Sequence, residues 1–204
     1  MVVETFLPAV WARNPHIQTI FGSLRFRTMG KNEMTDAARE VVTDVGNGGR
    51  LLGCYSRQTL RSPRGLIILI HGWEGSSDST YVLSTGRFLF RRGYDIFRLN
   101  LRDHGRSHHL NRELFHGALT DETAQAVGNV ARLLPDRPCY LIGFSLGGNF
   151  VLRIALRRKA TDPNYLANRI GAKFDAANNS ESIGADVKLK LANPDNWYLP
   201  FKWK

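Results

Sequence analysis

Leu66-Ile67-Ile68-Leu69-Ile70 is five consecutive branched aliphatic residues without a polar break. Successive side chains of a strand point to opposite faces, so a run that is apolar at both parities must be covered on both sides. This points to a central strand of a sheet sandwiched between helices, and the surrounding sequence agrees. Residues 80–92 place Val82, Leu83, Phe88 and Leu89 at helical spacing, and Gly93 acts as a stop before the strand-like run 94–99. Residues 120–134 read as a second amphipathic helix ended by Pro135. Cys139-Tyr140-Leu141-Ile142 reads as a further strand, and residues 146–157 as a further helix. Strands alternating with helices over 65–158 need crossover connections between parallel neighbours, so the expected class is α/β with a mostly parallel sheet and helices on both faces.

Ahead of this unit, the runs 40–45 and 50–55 flank Gly46-Asn47-Gly48-Gly49, which supplies the positive φ angles of an antiparallel hairpin. Residues 1–30 mix Trp11, Pro15, Ile17, Ile20, Phe21 and Phe26 without a sustained period and predict an extended segment wrapped over the domain. Beyond Ala160 the sheet pattern ceases to be legible. Asn is frequent there, and the one strand-like stretch is Val187-Lys188-Leu189-Lys190-Leu191. The expected division is a domain over 1–160 and an atypical, poorly ordered tail over 161–204.

Composition excludes some functions and leaves others open. The 204 residues, 43% hydrophobic and 23% charged, fit one globular domain with a real core. The formal net charge of +10 invites a nucleic-acid partner. The basic residues are scattered, however, and pairs such as Arg91-Arg92 and Arg157-Arg158 fall at helix ends, where cations suit the macrodipole. No nucleic-acid partner is expected. Cys54 and Cys139 lie in apolar, strand-like surroundings and read as buried reduced thiols. The N-terminus lacks a basic region ahead of an apolar core, and no run approaches the roughly 20 residues that span a bilayer. A cytoplasmic location without a membrane anchor is expected.

The chemistry concentrates in Gly143-Phe144-Ser145-Leu146-Gly147-Gly148, between an apolar strand and an apolar helix. A serine on so sharp a strand-to-helix turn is exposed in strained geometry, and Gly143 and Gly147 let the turn close. Ser145 is the candidate nucleophile, and the Leu146 N–H at the helix start is one candidate donor to an oxyanion. His71-Gly72-Trp73-Glu74-Gly75-Ser76 follows the buried strand. Gly72 lets the backbone approach a substrate, the Trp73 N–H is the second candidate donor, and His71 reads as a loop brace. Asn100-Leu101-Arg102-Asp103-His104-Gly105 follows the next strand. Adjacent Asp103 and His104 point to opposite sides and cannot form a relay with each other, so loop bracing is expected. His108, His109 and His116 lack an acidic or Cys partner at ligand spacing. No metal and no cofactor are expected.

With these motifs the chain, over about residues 10–160, resembles the α/β-hydrolase superfamily and, within it, the YheT-like carboxylesterases related to the eukaryotic ABHD hydrolases. Asn14-Pro15-His16-Ile17-Gln18-Thr19 resembles that family's N-terminal signature. His71-Gly72-Trp73-Glu74-Gly75-Ser76 is similar to its oxyanion loop, and Arg102-Asp103-His104-Gly105 to its post-strand loop. The resemblance implies hydrolysis of carboxylic esters, short-chain or lipid-like, by a serine whose triad partners follow it in the order Asp or Glu, then His. Here all six histidines, His16, His71, His104, His108, His109 and His116, precede Ser145. Asp162, Asp175, Asp186 and Asp195 follow it without a histidine to orient. The expectation is therefore a truncated hydrolase with an incomplete C-terminal part and little turnover on its own. The alternative is a non-catalytic binding protein on the same scaffold. An unfinished sheet edge would also favour self-association.

Overall fold

The computed structural model describes residues 7–23, 30–59 and 62–161. The expectations for the tail, including the Val187–Leu191 run, lie outside the described residues apart from Thr161.

Among the described residues, five strands form one mixed sheet in the order β1-β2-β4-β3-β5. The predicted hairpin is β1 (Ala38–Asp44) and β2 (Arg50–Ser56), paired antiparallel, and β2 runs antiparallel to β4 (Asp95–Leu99). β3 (Leu66–Ile70) lies parallel to both β4 and β5 (Cys139–Gly143). Parallel geometry is thus confined to the β4-β3-β5 centre, and the hairpin adds an antiparallel wing.

All five residues of β3 are buried, and their parity sorts the core. Leu66, Ile68 and Ile70 pack with Val127 and Val130 of α4 (Thr120–Ala131) and with Phe150 and Ile154 of α5 (Leu146–Thr161). Ile67 and Leu69 face the other side, with Val82, Leu89 and Phe90 of α3 (Thr80–Phe90) and Met34 of the short helix α2 (Glu33–Asp36). Fully burying one such side chain stabilises by about 1.5–3 kcal/mol. Both cysteines are free and buried, and burial pushes the Cys139 thiol up to about 12, so it behaves as an apolar core group.

The N-terminal segment corrects the sequence reading. Residues 7–23 are not an extended wrap: they hold a 3-10 turn at Val10–Ala12 and helix α1 (Pro15–Ser23). The Asn14 side chain accepts the His16 N–H at 2.9 Å, and Pro15 occupies the first helical position, where its missing N–H costs nothing. Asn14-Pro15 is a helix start. Leu7, Val10, Trp11 and Ile20 are exposed, and the Trp11 ring lies 5.2 Å from that of Phe21 within the same segment.

Candidate active site

β3, β4 and β5 end at the same edge of the sheet, and their following loops meet there. The chain goes from β3 to β4 on one side and then to β5 on the other, so the reversal of strand order falls at β3. Ligands of open α/β sheets bind outside the carboxyl ends of strands at such a reversal.

Ser145 sits between β5 and α5 with φ +51, a left-handed conformation rare for a residue with a Cβ, and is exposed. The turn is closed by backbone contact. A Cβ on Gly143 would stand 2.3 Å from the Gly147 carbonyl oxygen, and one on Gly147 would stand 2.4 Å from the carbonyl oxygens of Ile70 and His71. The Phe144 N–H donates to the Ile70 oxygen at 3.0 Å and the Gly147 N–H to the Phe144 oxygen at 2.9 Å, tying the elbow to the end of β3. Gly72 passes directly beside it: a Cβ there would lie 3.2 Å from Ser145 Cβ.

The structure therefore brings Ser145, Gly143, Gly147, Gly72 and His71 together. Leu146, as the first residue of α5, has no acceptor for its N–H within the helix, and among the described residues neither it nor the Trp73 N–H makes a backbone hydrogen bond. The indole of Trp73 is 65% exposed beside the site, with its ring 6.1 Å from Phe115. Phe115 in turn contacts His104 and Phe150, which forms an aromatic wall.

His71 is fully buried. Its Nδ1 lies 2.7 Å from the Gly72 carbonyl oxygen and its Nε2 accepts the Leu101 N–H at 3.1 Å, which assigns the proton to Nδ1. Burial lowers its pKa to about 4, partly countered by the Gly72 bond. A neutral imidazole with both nitrogens engaged cannot accept the Ser145 proton; it braces the loops after β3 and β4. The His104 ring lies 4.9 Å from it, tilted by 41°, and bonds the Arg102 carbonyl through Nδ1 at 2.7 Å.

Sequence reasoning missed the partner of Asp103. Its carboxylate, held at φ +57, lies 2.6 Å from Nδ1 of His108, five residues on in the 3-10 turn His108–Leu110. Positive φ at Asp103 is not announced by a glycine there, so no signal exposed this pairing. Arg102 was likewise unassigned. Nε and Nη2 of its guanidinium both donate to Oε2 of Glu122, at 3.0 and 2.6 Å, which locks the loop to α4, and Nη1 donates to Glu113 at 2.9 Å. Among the described residues no group of three His, Cys, Asp or Glu side chains is arranged to hold a metal, and no helix is long and apolar enough to cross a membrane. An open depression lined by Val42, Thr43, Asp44, Asn129 and Leu133 lies at the β1 edge, the far end of the strand order from β5 and Ser145.

Comparison with known proteins agrees with the geometry. The family model for the alpha/beta hydrolase fold matches residues 65–168, about half of the chain. A Haemophilus influenzae protein named "Putative esterase/lipase" is 27% identical over 141 residues, covering 69% of this chain and 46% of that protein. The chain thus spans about half the length of the curated relative it matches. The Xanthomonas campestris protein XC6422, described as an α/β serine hydrolase without a lid, superimposes with a TM-score of 0.51. It is 24% identical, with 59% of this chain and 56% of that one covered. The esterase Est22 gives a TM-score of 0.53 at 16% identity, covering 74% of this chain and 48% of its own. At these identities the two structures speak to fold alone. With its glycine-closed strand-to-helix turn at Ser145 and the family match across the β3–α5 unit, this chain belongs to the α/β-hydrolase family.

Proposed function

We propose that this chain is a serine hydrolase of carboxylic esters, short-chain or lipid-like, in which Ser145 is the nucleophile and the Leu146 and Trp73 N–H groups receive the oxyanion. The observation that carries this reading is the exposed Ser145 at φ +51, with Gly72 of the β3 loop against it. Strain of this kind, of order 1–3 kcal/mol, persists where surrounding structure imposes it and clusters at active sites. Attack by Ser145 Oγ on an ester carbonyl would place negative charge on the carbonyl oxygen. The amides at the start of α5 and in the β3 loop are where that charge would be met. The Asn14–Thr19 and His71–Ser76 motifs favour the YheT-like branch, and a cytoplasmic location belongs to the same reading.

The proton acceptor is the weak point of the chain taken alone. No histidine follows Ser145, and His71 and His104 bond neighbouring backbone. A serine without a base keeps only the residual rate supplied by oxyanion donors and binding, so low turnover is expected of these residues on their own. The same observation favours a second reading, a binding protein that holds an ester-like ligand in the hydrolase scaffold without turning it over. Hydrolysis of p-nitrophenyl butyrate by the wild type and by Ser145→Ala tests the first. A slow rate abolished by the substitution is expected, and a rate equal in both proteins contradicts Ser145 as nucleophile. Saturable ligand binding with no Ser145-dependent rate favours the second.

A further inference from the structure

We propose that Tyr81 is a positioning residue, gripping the β3 loop and the elbow together and so fixing the separation of the two oxyanion amides; this rests on the ester-hydrolase reading of Ser145. Tyr81 stands in the first turn of α3. Its phenol oxygen accepts the Gly72 N–H at 3.0 Å, while its ring lies against Phe144, with centroids 4.8 Å apart and planes at 55°. Gly72 immediately precedes Trp73, and Phe144 immediately precedes Ser145. One side chain therefore holds the residue before each half of the site.

The loop closes around the hydroxyl from its far side. A Cβ on Gly75 would come within 2.5 Å of the Tyr81 oxygen, and one on Gly72 would be 3.6 Å from it and 3.2 Å from Ser145 Cβ. Within the loop, the Gly75 N–H bonds the Gly72 carbonyl at 3.1 Å around Glu74, itself at φ +51. By accepting the Gly72 N–H, the phenol fixes the plane of the His71–Gly72 peptide, and with it the position of the next peptide, Gly72–Trp73, whose carbonyl oxygen lies 2.7 Å from His71 Nδ1 and accepts the Gly75 N–H. Donors must sit within about 0.5 Å of the productive geometry to stabilise a developing charge. Among the described residues, backbone bonding joins the elbow to β3 only as far as the Ile70 carbonyl; beyond it Gly72 is held by side chains, by His71 at its carbonyl and by Tyr81 at its N–H, and of these Tyr81 is the one that also touches the elbow.

The test uses the full chain and two substitutions that press on the same contact: Tyr81→Phe, which keeps the ring and deletes the acceptor, and Gly75→Ala, which crowds the hydroxyl. Saturation kinetics of Ser145 labelling by a fluorophosphonate would be combined with amide hydrogen exchange. In both variants the maximal labelling rate should fall about tenfold, with the half-saturating concentration within twofold of wild type. Exchange should quicken about tenfold at Gly72 in Tyr81→Phe and stay unchanged in β3. A merely structural role would loosen β3 as well and leave the maximal rate of the folded protein intact, which would overturn the proposal. Labelling of the wild type with an unaltered rate in Tyr81→Phe overturns the Tyr81 role alone. No Ser145-dependent labelling in the wild type overturns the hydrolase reading, and the positioning role with it.

Discussion

Asn47 and Ser145 adopt nearly the same left-handed backbone, φ 50 and 51, for opposite reasons. Asn47 is the exposed tip of the β1–β2 turn, where Cβ atoms on the flanking Gly46 and Gly48 would meet nothing within 4 Å. Asn tolerates this region through local bonding, and the turn has slack. Ser145 has no such preference. It is held between glycines at which an added Cβ would stand 2.3 and 2.4 Å from neighbouring backbone, by the tie to Ile70, and by Gly72 alongside. Glu74 and Asp103, the other non-glycine residues at positive φ among those described, also follow β3 and β4. Strain at the hairpin is a property of the turn sequence, whereas strain at the carboxyl edge is imposed by packing around a site.

The contrast is broken most severely by filling the elbow. Gly147→Ala should cost more than about 4 kcal/mol or prevent folding, since its Cβ meets backbone that cannot move aside. Gly48→Ala, at φ +75 in open space, should cost only about 1 kcal/mol. Urea midpoints compare the two, and similar losses would mean that the elbow is as slack as the hairpin. Next in size is Arg102→Ala, expected to cost about 3–5 kcal/mol because Glu122, with a side chain only 9% exposed, loses its partner. A loss below about 1 kcal/mol would show that the loop bearing Asp103 does not depend on this anchor.

His71 supplies a pH-dependent effect of roughly 3 kcal/mol, from a pKa lowered from 6.5 to about 4. Below pH 6.5 the unfolded chain takes up a proton that the folded chain refuses, so stability falls as pH drops from 6.5 towards 4 and this share levels off beneath it. Unfolding free energies across that range should decline less steeply in His71→Gln than in the wild type. Equal slopes would remove His71 as the buried neutral brace. The smallest effect separates the two strained residues directly. Ser145→Gly should stabilise by about 0.5–1 kcal/mol by relieving imposed strain, while Asn47→Gly should change stability by only a few tenths.

The site's frame was legible wherever local sequence dictates local structure. An apolar run at both parities located β3, and glycines around a serine between strand and helix located the elbow. Legibility ended where the path of a loop or the docking of one element on another decides. Asp103–His108, Arg102–Glu122 and Tyr81–Gly72 join residues that no periodicity relates. The N-terminal segment was misread because the aromatic scatter of residues 10–21 hides a helix whose signal is the Asn14-Pro15 start. The antiparallel wing on an otherwise parallel sheet follows from the hairpin's position beside β4, which strand patterns do not encode.

The central claim is that the elbow presents Ser145 as a nucleophile, and intact-mass and peptide analysis after fluorophosphonate treatment tests it most directly. The account predicts slow, single-site modification on the peptide carrying Ser145 and none in Ser145→Ala. Modification at other residues, or an unmodified wild-type chain after prolonged exposure, would contradict it.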